Sequence, residues 1–132
     1  MKNLNISDVQ SVLKMNNLYM KHFNFQREPI INSAGEIKYQ FGKNISEIND
    51  NVYNVSLSIK VCHDNFQVEL TVVGEFETEG FEENEVLIYK NSLAILFPYL
   101  RSQLTILSAQ PNMAPIILPP LNINLLFEQT QE

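Results

Sequence analysis

Cysteine is almost absent from this chain: Cys62 stands alone among 132 residues, so no internal disulfide is available. No basic stretch followed by an apolar run opens the sequence in the manner of a signal peptide. Both observations point to a reducing cytoplasm. Positive charge is scarce as well, with nine Lys and Arg against fifteen Asp and Glu and a net charge of −6. That sign is wrong for neutralising phosphates or anionic lipid, so nucleic acid is not an expected partner. Long apolar runs are missing too. The strongest is interrupted by Lys90, Asn91, Pro98 and Arg101, and membrane insertion is not expected.

Reactive groups are equally sparse. There are two histidines, His22 and His63, and no nucleophile elbow, phosphate loop or paired zinc-ligand spacing. Cys62, His63 and Asp64 are consecutive, but neighbours on a strand point to opposite faces and cannot converge on one ion. Turn chemistry is the better reading of that triplet. An enzyme, a metal site and a cofactor are therefore not expected.

What is present is hydrophobic pattern. The length suits one domain, residues 1–132, with residues 1–16 as an extension in which Ser7 caps a short helix through Val9, Val12 and Leu13. Leu18 to Phe25 alternates loosely and ends at Glu28-Pro29. Ile37, Tyr39 and Phe41 alternate with Lys38 and Gln40 before Gly42, giving a second strand. The clearest alternation is Tyr53, Val55, Leu57, Ile59 and Val61 against Asn54, Ser56, Ser58 and Lys60. His63-Asp64-Asn65 then makes a hairpin into Phe66, Val68, Leu70 and Val72, with a bulge or bend expected at Gly74. From Asn84 the period becomes helical: Tyr89, Leu93, Leu96, Phe97, Leu100, Leu104 and Leu107 form a sheet-facing stripe, and Pro98 is expected to kink the helix or start a new segment. The class is α+β.

A second apolar row, Ile88, Ile95, Tyr99 and Ile106, is more than one sheet covers, and another copy of the chain is the economical partner. These four are the expected oligomer interface. After Ala109 the segment from Gln110 to Pro120 is apolar but too rich in proline for a helix, and Asn122 then caps a last helix through Leu125, Leu126 and Phe127. The stretch Met113 to Leu118 either wraps the core or lines a groove for varied apolar partners. Glu75, Glu77, Glu79, Glu82, Glu83 and Glu85 form an acidic run, read either as a solvated loop or as a docking patch for a basic partner.

Ile95-Leu96-Phe97-Pro98-Tyr99-Leu100-Arg101, the proline-rich loop, and Leu121-Asn122-Ile123-Asn124-Leu125-Leu126-Phe127 resemble the SecB family of protein-export chaperones. Weaker similarity runs through Asp50 to Val55, and the whole extends over about residues 18–127. The resemblance implies a four-stranded antiparallel sheet with two helices, a dimer of dimers, and ATP-independent holding of unfolded polypeptides or preproteins. A relative dedicated to one partner, such as an antitoxin of a toxin–antitoxin system, is the alternative. Carried over by position, the polypeptide-binding candidates are Ile37, Tyr39, Phe41, Leu104, Met113, Ile116, Leu118 and Leu121. The family also implies docking to the SecA motor. Its acidic positions near the first strand fall here on His22 and Gln26; Glu69 is kept on the sheet, with Glu75 and Glu77 at the start of the acidic run.

Overall fold

The computed structural model describes residues 3, 13–32, 34–80 and 84–130. Four strands, β1 (Lys14–Arg27), β2 (Lys38–Asn49), β3 (Val52–His63) and β4 (Phe66–Glu77), precede two helices, α1 (Asn84–Ser108) and α2 (Ile123–Thr130). All strand pairings are antiparallel in the order β1-β4-β3-β2, so the connection from β1 to β2 must cross from one sheet edge to the other. It passes the β3–β4 hairpin, where Asn32 N donates to Asn65 Oδ1 and Glu28 N to Asn65 O. The short N-terminal helix expected at Ser7 lies outside the described residues, although Leu13 is buried in the core.

Alternation on β3 and β4 builds the core. Val55, Leu57, Ile59 and Val61 stand opposite Gly74, Val72, Leu70 and Val68, and all eight are buried. Loose alternation on β1 has a structural cause: register shifts between Met15 and Asn17 and between Met20 and His22 change which parity faces the core. Leu18 and Met20 share one face with Phe23 and Phe25 only because of the second shift. Those bulges are on β1. Gly74 itself pairs regularly, and its lack of a side chain serves packing instead: a Cβ there would stand 2.6 Å from Phe76 Cε2 and 2.9 Å from Leu96 Cδ2. Gly42 likewise does not end β2, which stays paired with β3 to Asn49.

Helix α1 lies on this face, and its innermost line runs at four-residue spacing: Ile88, Ser92, Leu96, Leu100, Leu104 and Ser108 are all essentially inaccessible. The two buried hydroxyls are satisfied within the helix, Ser92 donating to Ile88 O and Ser108 to Leu104 O. The inward position expected for Tyr89 is taken by Ile88. Tyr89 stays at the rim because its polar tip meets Lys43 Nζ, which lies 3.8 Å from the ring centroid. Ile88 is therefore core and unavailable to a partner copy. The exposed members of the second row are Tyr99 and Ile106, with Ile95 packed partly against the core. Pro98 starts no new segment: the helix runs through it, and the carbonyl it leaves unpaired belongs to solvent-exposed Ala94. Helix α2 begins as its sequence indicates, with Leu125 N donating to Asn122 Oδ1 at 3.1 Å.

Candidate apolar binding groove

Between α1 and α2 the chain must advance without a helix, since Pro111, Pro115, Pro119 and Pro120 deny it one. An extended segment alternates its side chains, and this one does so against the core. Ile116 and Leu118 point inward, 6% and 4% exposed, while Ile117 between them is 72% exposed. Two α1 side chains pin the backbone: Thr105 Oγ1 donates to Ile116 O at 2.8 Å, and Ser108 Oγ accepts from Ile116 N at 2.7 Å. The stretch from Met113 to Leu118 thus both packs on the core, through Ile116 and Leu118, and presents a surface, through Ile117.

Two hollows open along this loop. The first, about 450 Å³, lies between the crossover (Ile31, Asn32, Gly35, Ile37), the hairpin residues His63 and Phe66, and the loop from Asn112 to Ile117. The second, about 510 Å³, is bounded by Tyr39, Gln40 and Phe41 of β2, by Leu118, Pro119 and Leu121, and by Leu126 of α2. Tyr39 borders both, so the two form one path along the β2 edge. A third hollow of about 370 Å³, between Ala94–Arg101 of α1 and Pro120–Asn124, meets the second at Leu121.

Of the eight residues expected to bind polypeptide, the structure brings seven to the first two hollows: Ile37, Tyr39, Met113 and Ile116 to the first, and Tyr39, Phe41, Leu118 and Leu121 to the second. Leu104 is the exception. It is fully buried beneath them on α1, because its place in the four-residue line faces the sheet. Ile31, Phe66, Ile117, Pro119 and Leu126 were missed. The Ile30-Ile31 pair after Pro29 was a readable signal; Phe66 and Leu126 join only through the fold.

Neither of the first two linings contains Asp, Glu, Lys, Arg, Ser or Cys. His63 is occupied by the turn, its Nδ1 accepting from Asn65 N at 3.1 Å and its ring stacked on Phe66 with centroids 4.8 Å apart. Apolar side chains laid against such a surface leave water, each buried Ile, Leu or Met contributing about 1.5–3 kcal/mol. Lys43 points inward from β2 between the Tyr89 and Phe127 rings, and burial pushes its pKa below the ordinary 10.5. An inward charge on an edge strand also discourages indiscriminate strand addition.

The opposite face of the sheet is polar and carries the expected docking residues. Glu69 meets His22 at 3.4 Å and Lys60 at 3.6 Å, and Glu77 accepts from Asn16 Nδ2 at 3.0 Å. Glu75 is half-buried, paired in register with Asn17 and Asn54. No described helix is long and apolar enough to cross a membrane.

The architecture is thus a four-stranded sheet backed by one long helix, with two adjoining apolar hollows along its edge. The family model for preprotein translocase subunit SecB matches residues 7–132, and the chain belongs to the SecB family. It is 26% identical to protein-export protein SecB of Neisseria meningitidis across 95% of this chain and 94% of that protein. With the SecB of Methylococcus capsulatus the identity is 27% over 101 residues, spanning 71% of this chain and 65% of that protein. The fold matches the Mycobacterium tuberculosis Rv1957 SecB-like chaperone, solved in complex with a ChAD peptide from the Rv1956 HigA1 antitoxin. The TM-score is 0.66 at 13% identity, covering 83% of this chain and 90% of that one.

Proposed function

We propose that this protein is an ATP-independent cytoplasmic holdase that binds non-native polypeptides, including preproteins for export, along the groove bordered by Tyr39. The observation that carries this reading is the pair of adjoining hollows with apolar, uncharged linings. Several shallow apolar sites on one path sum to useful affinity for an unfolded chain while asking little of its sequence. The protein works as a homo-oligomer, a dimer of dimers in the family pattern, with Tyr99 and Ile106 in the contact. SecA is the proposed recipient, docking through Glu69, Glu75 and Glu77. Binding to the motor that weakens with added salt supports this docking, and salt-insensitive binding places it elsewhere.

The test is suppression of aggregation of several unrelated unfolded proteins without nucleotide, compared between the parent and Tyr39→Asp. Broad suppression that Tyr39→Asp abolishes is the expected result. Suppression confined to one partner favours the second reading, a chaperone dedicated to a protein such as an antitoxin, which the antitoxin peptide on the Mycobacterium relative brings into view. No suppression by the parent sinks both.

A further inference from the structure

Both walls of the first hollow are irregular backbone. One is the crossover, which supplies Ile31 and Ile37; the other is the loop between the helices, which supplies Met113 and Ile117. Segments of this kind have no ladder to set their separation. Most of their ties are one-sided: Asn65 holds the crossover, and Thr105 and Ser108 hold the loop at Ile116. Arg27, the last residue of β1, reaches both. Its Nε donates to Glu28 O at 3.0 Å and its Nη2 to Pro29 O at 3.2 Å, where the crossover begins, while Nη1 donates to Pro111 O at 2.7 Å, where the loop begins.

The geometry of a guanidinium suits this task. Its donors lie in one rigid plane, so three carbonyls bound at once are fixed relative to each other, and a lysine ammonium on a flexible stem cannot reproduce that arrangement. Arg27 makes no salt bridge among the described residues; its directional contacts go to backbone carbonyls. We propose that Arg27 is a positioning residue for the client groove, setting the separation of the two walls of the first hollow without acting on the second. This rests on the holdase reading above. With the tie in place a client meets a preformed hollow. Without it the walls fluctuate independently and must be ordered at each binding event, which weakens capture and speeds release.

The experiment uses the full chain with Cys62→Ser, carrying one environment-sensitive dye either on Ile117→Cys in the first hollow or on Pro119→Cys in the second. Reduced, carboxymethylated lactalbumin serves as the unfolded probe. In Arg27→Gln, release reported at the Ile117 position is expected to accelerate by about tenfold, and release at the Pro119 position to stay within about twofold of the parent. Hydrogen exchange is expected to rise together in residues 30–32 and 112–117 while the β1–β4 ladder keeps its protection. Arg27→Lys is expected to behave like Arg27→Gln. Equal acceleration at both dyes, unchanged exchange in either wall, or parental release in Arg27→Lys overturns the assignment. No capture of the probe by the unlabelled chain with Ile117 and Pro119 intact overturns the holdase reading itself, a result distinguishable from the others because it appears before any change at Arg27.

Discussion

A glycine, a serine and a lysine show how single positions shape this domain. Gly74 lets α1 settle on β4, because the space a Cβ would need is already filled by Phe76 and Leu96, both fully buried and without room to withdraw. Gly74→Ala is therefore expected to cost about 1–3 kcal/mol by overpacking, read as a lower urea midpoint with an unchanged slope. A parental midpoint would mean that α1 lifts from the sheet at little cost. Ser108 ends the buried line of α1 and accepts the Ile116 amide, so a polar residue in an apolar row sets where the loop turns back. Lys43 carries a charge into the rim beside Tyr89 and Phe127. Its lowered pKa means that the unfolded chain binds the proton more tightly, so the burial cost is present at neutral pH and is relieved as pH rises toward the ordinary lysine value.

At the scale of elements, the loop between the helices divides its labour by alternation. Ile116 and Leu118 anchor it, and Ile117 faces solvent beside the first hollow. Replacing Ile116 with Ser removes a buried side chain and leaves a hydroxyl in its place, so thermal stability is expected to fall by about 2–4 kcal/mol. Ile117→Ser takes nothing from the core. It is expected to leave melting unchanged and to weaken capture of unfolded probe severalfold, since one apolar contact of the binding surface is lost. Melting curves and probe titrations on the two variants separate anchor from binding surface. If Ile117→Ser melts early and captures normally, the division is wrong.

For the whole molecule, the decisive feature is the apolar surface left on α1. Tyr99 and Ile106 are 43% and 60% exposed and lie two turns apart on one side of the helix, away from the sheet. The doubled substitution Tyr99→Asp with Ile106→Asp disturbs no buried contact of the single chain, yet would bury two charges if these residues meet a second copy. Light scattering is expected to show dissociation of the parent oligomer with the folded circular-dichroism spectrum retained. An assembly of unchanged mass would move the contact to another surface.

Much was legible from residue order alone. The alternation of Tyr53 to Val61 and of Phe66 to Val72, the helical period after Asn84, the Asn122 cap and the proline-bound loop depend on backbone periodicity and local hydrogen bonding, which act over a few residues and are written directly in the chain. All eight groove candidates were carried over from the family resemblance, and seven of them line the two hollows while Leu104, which its helical period already turned to the sheet, does not. Tertiary structure decided the remainder. Ile88 took the inward position in place of Tyr89 because Lys43, forty-six residues away, gives the tyrosine a polar contact at the rim. Gly74 became a packing contact because Leu96 arrives over it, and Arg27 met Pro111 only when the crossover and the helix-connecting loop were brought to the same end of the sheet. Each of these depends on the distance between segments far apart in sequence, and periodicity carries no information about that distance.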